Sequence, residues 1–218
     1  MTVLMQKELD ELKKMLLSLT AVVEGRVQQA IQALMNADSQ LAEKVLAGDD
    51  EVDRMEVDLE EECLKVLALH QPVATDLRLI VSVLKMNNDL ERIADLSVNI
   101  AQRAAELASD PTPAPYNLQQ MADQIQTMLK MSLDSLVQQD SELARKTVRM
   151  DDVVDTQHKD NFNHVKAAIR AHPEQIDSLV LYLSISRYME RIADLATNIA
   201  EDVVYLIDGE IIRHHDLS

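Results

Sequence analysis

Residues 91–100 read ERIADLSVNI, and 99 residues later the chain reads ERIADLATNI at 190–199. A chain of 218 residues that repeats one segment at nearly half its length is constrained to build the same unit twice. Each copy holds Glu-x-x-x-Asp-x-x-x-Asn: Glu91, Asp95 and Asn99, then Glu190, Asp194 and Asn198. Residues four apart stack on one helix face, so each copy displays two carboxylates and an amide as a strip. Like charges at that spacing cost a helix about 0.2–0.5 kcal/mol. Only Arg92, three residues before Asp95, is placed to offset the first pair. A solvated acidic face is the ordinary reading of one such strip. Its return in the second half argues for a use.

The residues between the copies make the unit helical. There are only three Gly, five Pro and no Trp, and 47% of the chain is hydrophobic. Many Leu, Ala, Met, Glu and Gln with few breakers indicate an all-α protein with a real core. From about Val3 to Asn36, Leu9, Leu12, Leu16, Leu19, Val23, Ala30 and Leu34 recur at helical spacing. Asp38 is a good N-cap for a second helix, which runs to about Leu69 and is broken by His70-Gln71-Pro72. A third spans about Thr75 to just before Ser109.

The stretch SDPTPAP at 109–115 cannot stay helical and reads as a linker. A fourth helix follows with Leu118, Met121, Ile125, Met128, Ser132 and Leu136. Asp140 or Ser141 caps a fifth, which ends near His172-Pro173, and a sixth runs from about Gln175 to Ile207 and stops at Asp208-Gly209. The second and fifth helices also match: AEKVLAGDDEVD at 42–53 resembles ARKTVRMDDVVD at 144–155. Short connections imply antiparallel neighbours, so the expected fold is two tandem antiparallel three-helix bundles related by internal duplication. The expected division is 1–108, a linker at 109–115, 116–208 and a tail at 209–218.

The net charge of −17, from 38 acidic and 21 basic residues, leaves no basic footprint for nucleic acid. It favours a cation or a basic protein surface. Cys63 is the only cysteine, so no intrachain disulfide forms, which fits a reducing compartment. No run of 18 apolar residues is present to span a membrane, and the first residues do not read as a signal peptide.

On a helical wheel, Leu79, Val83, Met86, Leu90, Ile93 and Ile100 form the core stripe of the third helix, and Glu91, Asp95 and Asn99 fall nearly opposite. The carboxylates are thus expected to face outward, unlike the inward ligands of a ferritin-like diiron bundle. The second helix carries Asp49, Asp53, Glu56 and Glu60 on one arc; the fifth repeats Asp151 and Asp155, with His158 in place of Glu56. If these rows converge on the strips, a cation between them is one solution and a solvated acidic face is the other. An oxygen shell does not choose among Mg, Mn, Ca and Fe, and Zn stays open. Cys63 reads as a core residue, His70 and His172 as helix ends, and His214-His215 as an adventitious pair in the tail. No phosphate-binding Gly-rich loop, nucleophile elbow or zincin motif is present, so an enzyme is not favoured.

Two three-helix repeats, each with E-R-I-x-D-x-x-x-N-I-A, resemble the PhoU family; QPVATDLRLIVSVLKMNNDLERIADLSVNIA at 71–101 is the most telling stretch. The family often shows E-R-I-G-D-H, where this chain has Ala94 and Leu96, then Ala193 and Leu195, so a His ligand there does not carry over. The resemblance implies a cytoplasmic negative regulator of phosphate uptake and of the phosphate-starvation response. It implies an adaptor between PstB, the ATPase of the phosphate ABC transporter, and the sensor histidine kinase PhoR, peripheral to those membrane complexes. It also implies multinuclear metal clusters, iron among them, at Glu91, Asp95, Glu190 and Asp194, with Asp53 and Asp155 as partners and Asn99 and Asn198 as further candidates. Homodimerisation is expected, because Leu77, Ile80 and Leu84 fall on the outer side with the acids, some packing under neighbouring helices. The alternative to the regulator is a carboxylate-bridged metal-dependent enzyme or a metal-storage helical protein.

Overall fold

The computed structural model describes residues 3–212. The elements in order are α1 (Val3–Asn36), α2 (Ser39–Leu46), α3 (Asp49–His70), α4 (Ala74–Ser109), α5 (Leu118–Gln138), α6 (Ser141–Val148), α7 (Asp151–Ala171), a 3-10 turn (Pro173–Gln175) and α8 (Ile176–Asp208). The fold is all-α, two tandem antiparallel three-helix bundles: α1, the α2–α3 rod and α4, then α5, the α6–α7 rod and α8. His214-His215 lies outside the described residues.

The core follows the periodicity. Leu9, Leu12, Leu16, Leu19 and Val23 of α1 are buried, and so are Leu79, Val83, Met86, Leu90, Ile93 and Ile100 of α4. Each such side chain contributes roughly 1.5–3 kcal/mol when fully buried. Helix ends fall where the caps put them. The carboxylates of Asp38 and Asp140 accept from the backbone N–H of Leu41 and Leu143, both at 3.0 Å. Gly209 ends α8 at φ 74°, in the left-handed region that a glycine enters without strain. His70 does not cap α3. Gln71 does so in the left-handed conformation (φ 45°), and the His70 ring reaches Glu8 on α1 at 2.5 Å. The 110–117 connection is pinned to the second bundle. Tyr116 Oη donates to the Tyr182 carbonyl and Tyr182 Oη to the Thr112 carbonyl, each at 2.7 Å.

Two features depart from the sequence reading. First, the expected second and fifth helices are each broken. In the first bundle, Ala47 and Gly48 close α2 through N–H bonds to the Glu43 and Val45 carbonyls. Arg26 of α1 enters the break, donating to the Val45 and Gly48 carbonyls at 3.2 and 2.7 Å and to Glu51 at 2.8 Å. A Cβ on Gly48 would lie 1.5 Å from Arg26 Nη1, so this approach requires glycine. Arg149 and Met150 make the corresponding break between α6 and α7. Second, α4 packs on α1 along one side and on α8 along another. Ile80, expected on the outer side, is therefore fully buried, while Leu77 stays 40% exposed and Leu84 is half-buried. Lys85 reaches Asp202 at 3.1 Å, and Arg103 hydrogen-bonds Tyr188. Those contacts set α4 and α8 antiparallel, and the middle of that register falls at Leu96 and Leu195, both buried.

Candidate metal centre

The breaks decide where the acids sit. Asp49 and Asp151 are the first residues of new helices, where the helix dipole favours negative charge. α3 lies beside α4, and α7 beside α8. Each pair forms a groove along which carboxylates from two helices face one another.

In the first groove, burial raises Asp49 above the usual carboxylate range, and the charges of Asp53 and Asp95 add to this against Arg26. Burial also raises Glu91, with Asp95, Glu56 and Asp53 reinforcing it. Asp95 is raised by burial and then by Asp53, and a hydrogen bond with Glu91 acts the other way. Glu56, raised by burial and by Glu60 and Asp53, accepts from Asn87 Nδ2 through its backbone carbonyl at 2.9 Å and its Oε1 at 3.3 Å. The rungs of this ladder are Asp49 with Asp95, Asp53 with Asp95 and Glu91, and Glu56 with Glu91.

The second groove repeats the ladder and closes it more tightly. One carboxylate oxygen from each of Asp155, Glu190 and Asp194 lies within 4.8 Å of the others. Asp151 is pushed up to about 6 by burial and then by Asp194; the Thr197 hydroxyl pulls it down, and Asp155 and Asp152 push it up further. Glu190 and Asp194 are also raised, first by burial and then by Asp194 and Asp155 respectively. Arg187 binds one oxygen of Glu190, and the other, Oε2, is buried with no hydrogen-bond partner. A cleft of about 690 Å³ opens beside these residues, lined by Lys85, Asn88, Asp151, Asp194 and Asn198 among others.

The structure thus brings together Asp49, Asp53, Glu91 and Asp95 in one groove and Asp151, Asp155, Glu190 and Asp194 in the other. Asn198 borders the second groove, whereas Asn99 is half-buried one turn beyond Asp95. The outward placement holds for Asp95, which is exposed, and only partly for Glu91. It fails for Glu190, which is 8% exposed, because Arg187 and α7 cover it. Glu56, Thr197 and Arg187 also belong to the grooves and were not in the expected ligand set. Glu56 had a signal, its place on the acidic arc of Asp49 and Asp53. Thr197 and Arg187 lie three residues either side of positions in the repeated strip.

The donor set fits a cation. All four acids of each groove offer oxygen, the natural partner of hard or borderline divalent ions. A buried carboxylate oxygen without a partner, Glu190 Oε2, is an electrostatic cost that a cation would relieve.

A duplicated all-α bundle with a carboxylate groove in each half defines the class. The chain belongs to the PhoU domain family, which matches residues 16–104 and 118–203. A phosphate-specific transport system accessory protein PhoU homolog from Aquifex aeolicus is 38% identical over 213 residues, 97% of this chain and 96% of that one. One from Pseudomonas putida is 36% identical, over 97% and 83% of the two chains. The crystal structure of PhoU from Pseudomonas aeruginosa superposes with a TM-score of 0.91 at 36% identity, covering 94% of this chain and 99% of that one. The phosphate transport system regulatory protein PhoU from Streptococcus pneumoniae gives 0.83 at 28% identity, over 95% and 98%.

Proposed function

We propose that this protein is a metal-loaded cytoplasmic regulator of phosphate uptake, coupling the transporter ATPase PstB to the sensor kinase PhoR. The observation that carries the reading is end-to-end similarity to proteins named as accessory to phosphate-specific transport. Those names, accessory and regulatory, also favour an adaptor over an enzyme. No helix among the described residues is long and apolar enough to cross a membrane, so contact with the transporter is peripheral in this reading. Asp49, Asp53, Glu91 and Asp95 would hold cations in one groove, and Asp151, Asp155, Glu190 and Asp194 in the other. A bound cation supplies positive charge that offsets carboxylate repulsion and ties α3 to α4 and α7 to α8. Beyond the groove on α3, exposed Val57 and Leu64 sit among Asp58, Glu60 and Glu61, which suits a basic partner surface.

Deleting the gene and measuring a phosphate-starvation reporter in high phosphate tests the reading. The reporter is expected to fire in the deletion strain and fall silent again on complementation. A reporter silent in the deletion strain refutes the regulator. Co-purification with PstB and PhoR, and its loss in Asp155→Asn plus Asp194→Asn, tests the adaptor and its dependence on metal.

A further inference from the structure

A cleft of about 570 Å³ lies where the two bundles meet, between α1 and α4 of the first and α5 and α8 of the second. None of the groove carboxylates lines it. Its walls are apolar, with Leu16 from α1, Leu79 from α4, Leu136 from α5 and Leu206 from α8. Leu17 and Val137, 38% and 58% exposed, join the lining from opposite bundles. Two cations, Lys13 and Arg78, face it as well, with Asp76 as the one acid. The cleft thus has a surplus of positive charge in a chain whose net charge is −17.

Arg78 is half-buried. Its guanidinium carbon lies 6.0 Å from the centre of the Tyr205 ring, and its Nη1 lies 2.7 Å from where a Cβ on Gly209 would stand. It is therefore held against the C-terminal end of α8, where a cation is favoured by the helix dipole. That position gives Arg78 a structural use but does not satisfy it. Among the described residues no carboxylate pairs with Arg78, and its Nε is buried without an acceptor. A guanidinium in this condition suits a carboxylate, which it can take through two parallel hydrogen bonds. A concave site of a few hundred Å³ with apolar walls and a few convergent polar groups is the usual form of a small-molecule site.

We propose that this cleft binds a small amphipathic anion, a medium-chain fatty acid, with its carboxylate on Arg78 and its hydrocarbon chain along the leucines between the bundles. Lys13 adds to the attraction for the head group, and the unpaired Nε of Arg78 gains the acceptor it lacks. Charge selects the head group and the apolar walls select the chain, so neither part alone binds well. A bound chain touches both bundles and ties α1 and α4 to α5 and α8. The proposal rests on neither the metal reading nor the regulatory role.

The test titrates sodium decanoate, below its micelle concentration, calorimetrically into the full chain. Saturable one-to-one binding is expected. Decyltrimethylammonium has the same chain with the opposite charge, and butyrate the same head with a short chain; each is expected to bind at least about tenfold more weakly. Arg78→Gln is expected to raise the decanoate Kd by about tenfold, the loss of a charge-assisted hydrogen bond. Leu17→Glu with Val137→Glu, both at exposed positions, is expected to raise it by about tenfold or more. Decanoate is also expected to raise the Tm of the parent more than that of either variant. Circular dichroism checks that each variant keeps its helices. Equal binding of decanoate and decyltrimethylammonium, or equal binding of decanoate by the parent and both variants, overturns the proposal. A parent that binds no decanoate overturns it too. In that case a dimer split by Leu17→Glu with Val137→Glu assigns the cleft to a second copy, and decanoate binding gained on ending the chain at residue 212 assigns it to residues 213–218.

Discussion

Asp151→Asn probes the repulsion built into the second groove. Burial, then Asp194, carry Asp151 from an ordinary 3.8 to about 6, against the pull of Thr197. One pKa unit is worth about 1.4 kcal/mol, so ionising Asp151 costs the fold about 3 kcal/mol before screening. The side chain is partly exposed, which reduces this to about 1–2 kcal/mol. Asp151 also opens α7, where its charge gains about 0.3–1 kcal/mol from the helix dipole, a gain asparagine forgoes. The net expectation is that the metal-free variant is more stable by about 1 kcal/mol at neutral pH. For a chain of this size that is a rise of roughly 2–4 °C in Tm. The sign of the pH dependence follows from the raised pKa. Between about pH 4 and 6 the folded state binds more protons than the unfolded one, so stability is lost as pH rises through that window and is level above it. Asp49, Glu91, Asp95, Glu190 and Asp194 shift in the same direction and add to the wild-type loss. Thermal unfolding in a chelator, followed by circular dichroism, reads the difference between variant and wild type. It is expected to be positive near pH 7.5, to shrink as pH falls through 6, and to reverse when Mn(II) is added. A difference independent of pH, or a variant less stable in chelator at pH 7.5, refutes the repulsion.

Further substitutions at three kinds of site test the fold that carries the grooves. Leu12 is fully buried in α1, so Leu12→Ala is expected to cost about 2–5 kcal/mol, read as a lower urea midpoint at unchanged slope. Gly209→Ala combines a left-handed φ of 74° with a Cβ 2.7 Å from Arg78 Nη1, and is expected to cost about 1 kcal/mol, with Gly209→Asn costing less. Asp38→Ala and Asp140→Ala each remove a 3.0 Å cap bond and are expected to lower stability by about 1 kcal/mol apiece, the two losses adding in the double variant.

The helices and their inward faces were legible because α1 and α4 write their core at spacings of three and four without interruption. The acid strips were legible because they recur. The breaks at Ala47-Gly48 and Arg149-Met150 were not read, although Gly48 followed by Asp49, Asp50 and Glu51 is the signature of a fresh helix start. Periodicity carries across such a break, since one short non-helical step barely rotates the apolar stripe. The burial of Ile80 and Glu190 lay beyond reach for a different reason. A wheel drawn for one helix knows only its main partner, whereas α4 and α8 are each covered from several sides. His158 was visible as the residue that replaces Glu56; its hold on Ser186 depends on how α7 lies on α8.

Why a chain should keep so many raised carboxylates is itself informative. Each could be replaced by asparagine or glutamine at no cost in helix propensity, and the fold would lose repulsion. The acids are instead placed where some of that repulsion is offset: Asp49 and Asp151 at helix starts, Glu56 under Asn87, Glu190 beside Arg187. Glu190 argues the point most closely. Arg187 satisfies one oxygen and leaves the other buried, so the ion pair alone does not complete the site. An arginine placed only for stability would be expected to hold both oxygens in a fork. One-sided pairing leaves a buried oxygen without a partner on a residue that clusters with Asp155 and Asp194, and a third, positively charged participant would complete it.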